Sequence, residues 1–214
     1  MPPKNKRLIQ TVVVLLAVVA LSFGFFVAEH VRSMKQIDRT RLNGTLLDTP
    51  REVVHFTLTG TDEQPFNEEN LTEHWTMMFF GFTRCGSVCP TTMAELAKMI
   101  RLLRERQVTP LPRVVMVSID PESDTLPRLK AYVEAFNPEF YGATGKIDEI
   151  SRITQDFGIA YAKIARKLKD GSVVHEIEHT GAILLFNPKG QLMAFFTTPH
   201  NAAGLADDYQ LLIG

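Results

Sequence analysis

The first pattern along the chain is a run of twenty-one residues, Leu8 to Ala28, that contains no charged side chain and is mostly Val, Leu, Ala and Phe. Coiled as a helix at 1.5 Å per residue, it spans roughly 31 Å, the thickness of a bilayer core. Beyond it hydrophobicity comes in short bursts. Trp75–Gly81, Val114–Ile119 and Gly181–Phe186 are runs of strand length; Asn187-Pro188-Lys189-Gly190 and a further run, Gln191–Phe196, follow the last, which predicts a hairpin. Between the first two, Met93, Leu96, Ala97, Ile100 and Leu103 recur at helical spacing, and Pro90 suits a first helical position. Two more helices are predicted: Thr125–Phe136, stopped by Asn137-Pro138, and Lys146–Phe157, with Ile147, Ile150, Ile153 and Phe157 on one face and Gly158 as its stop. Leu205–Ile213 reads as a last helix and His55–Leu58 as an early strand at a sheet edge.

A strand joined to the next through a helix implies a parallel crossover. The order strand, helix, strand, helices, hairpin, helix describes an α/β, thioredoxin-like three-layer sandwich with an inserted strand and helix, preceded by one N-terminal transmembrane helix. A chain of 214 residues holds one such domain and little more. With 45% apolar residues and only 13 Gly and 12 Pro, neither a collagen-like nor a wholly disordered chain fits. The expected divisions are a cytoplasmic N-terminus (1–7), a transmembrane anchor (8–28), a polar, partly helical tether closed by Pro50 (29–50) and the folded body (51–214).

Charge refines this division. Residues 1–41 hold seven basic and two acidic groups, and the remainder holds sixteen basic and twenty-two acidic. A mildly acidic body lacks the basic face that neutralises phosphates, so no nucleic-acid partner is expected. Lys4, Lys6 and Arg7 precede the apolar run while Arg32, Lys35, Arg39 and Arg41 follow it, so the positive-inside count does not choose a side. Length does: the body follows the run, and a long domain translocates despite flanking charge. A cleaved secretory signal would end at a small-x-small site such as Ser22-Phe23-Gly24, yet Phe25-Phe26-Val27 carry the hydrophobicity past it. A retained single-pass anchor in the inner membrane is expected, with the lipid bilayer contacted through residues 8–28 and the C-terminal domain in the periplasm or an equivalent compartment.

The chain has two cysteines, and both lie in Gly81-Phe82-Thr83-Arg84-Cys85-Gly86-Ser87-Val88-Cys89-Pro90, where strand meets helix. Reactive groups on open parallel sheets gather beyond the carboxyl ends of strands. Helix N–H groups near Cys89 are expected to favour its thiolate. Three intervening residues let both sulfurs face one point, where they close a disulfide or clamp a soft ion such as Cu(I) or zinc. A purely structural bridge over so short a loop would stabilise little. Two sulfurs are few for a copper site, so a third ligand is sought among six histidines: His30 in the tether, His55 and His74 beside early strands, His175 and His179 before the late hairpin, and His200 after it. His179 ranks first because it immediately precedes the third strand, and His175 ranks second.

Three segments in order carry a family resemblance: Gly81-Phe82-Thr83-x-Cys85-x-x-x-Cys89-Pro90-Thr91; Val117-Ser118-Ile119-Asp120-Pro121-Glu122-x-Asp124-Thr125; and His179-Thr180 followed by Leu185-Phe186-Asn187-Pro188-x-Gly190. Together, over roughly Phe56 to Phe196, they resemble the SCO/SenC family. The resemblance implies a membrane-anchored, thioredoxin-fold protein that binds copper and helps build the binuclear copper centre of cytochrome c oxidase. It further implies Cys85, Cys89 and His179 as metal ligands. The implied partners are the copper-centre subunit of the oxidase and a copper donor protein. Asp120 stands near a strand end, either as a solvated helix-capping residue or in partner contact or metal transfer. Two positions depart from the family pattern: Gly86 stands where Pro is common, and Glu178 where Asp is common before the histidine, which makes Glu178 a second candidate around the site. Met77, Met78, Met93 and Met99 follow the secondary-structure spacing and are expected in the core, and the basic stretch Lys163–Lys169 reads as a solvated strand and turn.

Three activities are compatible with these residues. The pair Cys85 and Cys89, with His179, would hold and deliver copper; the same pair would reduce an acceptor disulfide, one thiolate attacking and the other resolving. Val88-Cys89-Pro90-Thr91 is also similar to the peroxiredoxin Val-Cys-Pro-Thr, but that pattern wants Thr three residues before the reactive cysteine, where this chain has Gly86.

Overall fold

The computed structural model describes residues 4–34, 39–167 and 173–214. The chain forms two compact units, with a division between Asp38 and Arg39. The first is built on α1 (Lys4–Met34), a single helix of 31 residues. Among the described residues no helix is long and apolar enough to cross a membrane. The uncharged run Leu8–Ala28 lies only partly within that description, since the side chains at 8, 23 and 26–28 fall outside it.

The second unit runs β1 (Thr45–Arg51), β2 (Thr57–Gly60), β3 (Pro65–Asn67), β4 (Thr76–Gly81), α2 (Val88–Glu105), β5 (Arg113–Ser118), α3 (Leu126–Phe136), β6 (Tyr141–Thr144) and α4 (Ile147–Phe157). It continues through β7 (Tyr161–Lys167), β8 (Val173–His179), β9 (Ile183–Phe186), β10 (Leu192–Phe196) and α5 (Ala202–Ile213). Eight strands make one mixed sheet in the order β1-β10-β9-β4-β5-β6-β2-β3, and β7 pairs with β8 as a separate ribbon. β4, β5 and β6 are parallel, as the helical connections require. β9 and β10 form the expected antiparallel hairpin, with β9 antiparallel to β4.

Every residue of β4 is buried because both faces of the sheet are covered. On one face Met78, Phe80, Val115, Val117, Leu184 and Phe186 pack with Ile150, Ile153 and Phe157 of α4. The Phe157 ring lies 6.0 Å from Phe80 and 5.5 Å from Phe186. Strand alternation turns Met77, Phe79 and Met116 to the opposite face, and all three are fully buried. Helix α2 buries Met93, Leu96, Ala97, Met99, Ile100 and Leu103. The Tyr209 ring of α5 meets Trp75 edge-on at 6.1 Å, and its hydroxyl donates to the Pro110 carbonyl at 2.8 Å.

Several expectations need correction. Residues 45–50 do not belong to a tether: they lie in β1, which pairs with β10 (Thr45↔Phe195, Leu46↔Ala194). An edge strand with one wet face accepts polar residues and Pro50, so its composition resembles a linker. β2 is not at the edge, because β3 adds outside it; three residues are too few to show a period. The short β6, Tyr-Gly-Ala-Thr, is equally silent in the sequence. Pro90 is the third residue of α2, which begins at Val88. Ile147 is exposed although Ile150, Ile153 and Phe157 of the same helix are buried, and Gly158 ends α4 in the left-handed conformation at φ 70°. The basic stretch supplies the end of β7, while the turn at 168–172 lies outside the described residues.

Phe80→Ala removes a fully buried ring from the face packed by α4. It is expected to lower stability by about 3–5 kcal/mol, read as a reduced urea midpoint with an unchanged slope.

Candidate metal centre

β4 ends at Gly81 and the chain turns through 82–87 into α2. This turn is anchored from below by Asp124, a carboxylate only 1% exposed. Its Oδ2 accepts the Thr83 amide at 2.9 Å and the Ser118 hydroxyl at 2.7 Å, and its Oδ1 accepts the Thr83 hydroxyl at 2.5 Å. Arg84 donates to Asp120 Oδ2 at 2.9 Å and also to the Ser123 hydroxyl. The cysteine turn is thereby tied to the end of β5 by two acid residues. The Cys85 amide donates to the Phe82 carbonyl at 3.2 Å, which tightens the turn before the helix.

Cys89 is the second residue of α2 and points inward. Gly81 makes room for it: a Cβ there would come within 2.9 Å of Cys89 Sγ and 2.7 Å of the Phe79 ring. The Cys89 amide donates to Cys85 Sγ at 3.4 Å, so the two sulfurs lie over the same first turn. Both thiols are unbridged, with Cys89 buried and Cys85 partly exposed.

The third group arrives from the ribbon. His179 is the last residue of β8, and its Nε2 lies 3.2 Å from Cys89 Sγ. Its imidazole sits edge-on to Phe79 and Phe82, with both ring centroids at 5.9 Å. Nδ1–H donates to the Thr180 carbonyl at 3.2 Å, which leaves the Nε2 lone pair facing the sulfurs. The ligating atoms of Cys85, Cys89 and His179 all lie within 4.8 Å of one another. Cys85 and His179 border a cavity of about 730 Å³ that Arg84, Asp120 and Glu178 also line, while Cys89 lies buried behind them.

Electrostatics here is governed by burial. Desolvation pushes the Cys89 thiol well above its usual range and holds the His179 imidazole below its own. The expectation that helix N–H groups would make Cys89 a thiolate is therefore overturned: in so dry a position the loss of hydration outweighs the helix end. A soft cation would reverse the balance, since a coordinated thiol gives up its proton. For peroxide chemistry at Cys89 the environment has the wrong sign, because that reaction needs an accessible thiolate.

Cys85, Cys89 and His179 are thus brought together as their sequence positions suggest. Asp120 is not a solvated cap but a buried carboxylate paired with Arg84. Glu178 is exposed at the cavity rim. His175 belongs to β8 opposite Ala165, and its side chain lies outside the described residues, as does that of His30. His55 pairs with Glu68 at 2.6 Å, and His74 lines a different cavity. Sequence reasoning missed the roles of Asp124, Arg84, Phe79 and Phe82. Asp124 stands one helical turn from Asp120, and nothing in Ser118–Thr125 separates a buried anchor from a surface acid.

Two thiols on a strand-to-helix turn, met by an imidazole from a distant ribbon within a layered α/β sheet, define a soft-metal or thiol-redox protein. The chain belongs to the SCO1/SenC family: the family model of that description matches residues 45–214. A Stutzerimonas stutzeri protein named for copper binding is 31% identical over 163 residues, 76% of this chain and 78% of the relative. Protein SCO1 homolog 1, mitochondrial, of Arabidopsis thaliana is also 31% identical, over 71% of this chain but only 44% of the relative's length. Among solved structures, Arabidopsis thaliana ScoI with copper bound superposes with a TM-score of 0.67 at 28% identity, covering 75% of this chain and 97% of that one.

Asp124→Ala would leave the Thr83 amide and the Thr83 and Ser118 hydroxyls without their acceptor. It is expected to cost on the order of 3 kcal/mol in chemical denaturation. Alkylation of Cys85 in the folded protein is expected to speed up as the turn loosens.

Proposed function

We propose that this chain is a copper-binding protein in which Cys85, Cys89 and His179 are the ligands, and that it serves the copper centre of cytochrome c oxidase. The observation that carries the reading is the convergence of two sulfurs and a bare imidazole nitrogen within 4.8 Å beside an accessible cavity. Two thiolates and an imidazole form a soft set suited to copper and poorly matched to calcium or magnesium. The copper-bound Arabidopsis neighbour favours copper over zinc. The oxidase acceptor follows from the family resemblance of the three sequence segments. In delivery, partly exposed Cys85 is the ligand that an incoming acceptor thiol reaches first, and buried Cys89 is the last to let go.

A second reading uses the same pair as a thiol–disulfide reductase for the acceptor's cysteines. Cys85 then attacks the disulfide and Cys89 closes on the mixed intermediate, releasing two reduced acceptor thiols. The exposure difference between the sulfurs fits that order. Metal analysis of the full chain in detergent under reducing conditions separates the two. About one copper per chain is expected in the native form, with loss in Cys85→Ala, Cys89→Ala and His179→Ala. Disulfide exchange should survive in His179→Ala alone. Copper affinity should weaken as pH falls, since protons compete for sulfur, and do so most strongly at Cys89, whose thiol burial raises.

We also propose that Leu8–Ala28 anchors the chain in the inner membrane, with residues 1–7 cytoplasmic and the folded body in the periplasm or an equivalent compartment. Supporting this, Leu16, Leu21 and Phe25 on α1 are 64%, 74% and 71% exposed, apolar surface that water would disfavour. The full chain is expected to remain with membranes through an alkaline wash. A version starting at Arg39 should appear in the soluble fraction.

A further inference from the structure

We propose that His200 is the positioning residue for the His179 imidazole; the inference rests on the metal-binding reading of the site. His200 follows β10, and its Nε2 lies 2.6 Å from the carbonyl oxygen of Gly181. A carbonyl only accepts, so the proton is on Nε2 and the tautomer is fixed. Nδ1 is buried and has no hydrogen-bond partner among the described residues. The one polar bond this ring makes through its nitrogens is therefore the restraint on Gly181.

Gly181 lies two residues past His179, in the link between β8 and β9. It is closely enclosed: a Cβ there would come within 2.7 Å of Thr198 Cγ2 and 3.0 Å of Val88 Cγ2. Val88 is the neighbour of Cys89, and Thr198 precedes His200 by two residues. The link is thus wedged between the start of α2 and the segment that carries His200. On its other side the Thr180 amide donates to the Ala160 carbonyl at 2.8 Å, and the Ala160 amide donates to the Thr180 hydroxyl at 3.2 Å.

The Thr180 carbonyl accepts the His179 Nδ1 proton and so sets the tilt of the ligand ring. That carbonyl belongs to the peptide joining Thr180 to Gly181. Ala160 holds the amide of the peptide just upstream, and His200 holds the carbonyl just downstream. Without the His200 bond, glycine's backbone freedom returns to the link, the Thr180 carbonyl is free to rotate, and Nε2 of His179 loses its fixed 3.2 Å approach to Cys89. His200 touches neither sulfur nor the ligand ring in this scheme; it acts through the backbone.

The test uses the full chain in detergent with three variants. His200→Gln can place an amide donor where Nε2 stands. His200→Leu keeps bulk but has no donor, and the shorter amide of His200→Asn cannot reach the Gly181 carbonyl. Circular dichroism identifies which variants fold, and two donor-less variants guard against one failing. Cu(I) affinity, read against a chromophoric chelator, is expected to fall about 10–100-fold in Leu and Asn and to stay near native in Gln. In the metal-free protein, diethylpyrocarbonate modification of His179, mapped by mass spectrometry, should be faster in Leu and Asn and native-like in Gln. Native behaviour in the donor-less variants, or equal losses in Gln and Leu, overturns the proposal. Failure of the native chain to bind copper would instead defeat the metal reading, while the metal-free modification rates still decide the role of His200.

Discussion

Phe79 pairs with Ile183 and Met77 with Leu185 across β4 and β9, and this antiparallel register sets the outgoing end of one strand beside the incoming end of the other. The turn with Cys85 and the start of α2 with Cys89 follow β4; β8, which ends at His179, leads through a short link into β9. Residues 90 positions apart in sequence therefore meet without any dedicated bridge between them. The register is itself enforced by burial, since a slip of one residue would exchange Ile183 and Leu185 with Leu184 and Phe186 between the two packed faces. Such a slip would also displace His179 by about 3.3 Å, more than enough to break coordination. The core and the candidate metal centre are in this sense one structure.

The dry setting of Cys89 then determines how the site works. Burial raises its thiol and lowers the His179 imidazole, so it favours the neutral form of both. A neutral pair is cheap to bury, which is why an apolar wall of Phe79 and Phe82 is tolerated around it. A soft cation bound there would supply the charge that lets the thiol ionise in place. Cys85, at the cavity margin, is partly exposed to water. The candidate site is graded from buried Cys89 to partly exposed Cys85. The ion pair of Arg84 with buried Asp120 stands at that margin and fixes the turn there.

Much of this was legible in sequence. The two cysteines on a strand-to-helix turn, the helical spacing of Met93 to Leu103 and the hairpin around Asn187-Pro188-Lys189-Gly190 all have local causes, so a local pattern reveals them. His179 was legible through its position before a strand and through the family resemblance of the His179-Thr180 segment. β1, β3 and β6 were not, because an edge strand with a wet face, a three-residue strand and a Tyr-Gly-Ala-Thr segment carry too little alternation to be seen. Asp124 escaped for a different reason: its three partners come from residues 83 and 118, and a buried acid with distant donors looks like any surface acid until the fold closes. Desolvation of Cys89 was hidden likewise, since the helix end is local and the burial is not.

The two departures from the family pattern act on different quantities. A Cβ at Gly86 would meet nothing within 4 Å, so no steric need selects glycine there. Its effect is on chain entropy: a more mobile Cys85 costs up to about 1 kcal/mol more to fix, whether on a metal ion or in a disulfide with Cys89. Because both outcomes fix the same residue, the balance between copper binding and thiol exchange is left where the ligand set puts it. Glu178 is exposed and opposite Ala162 on the ribbon, with His179 next to it facing the sulfurs. Its extra methylene extends the carboxylate at the rim of the cavity, away from the cluster formed by Cys85, Cys89 and His179.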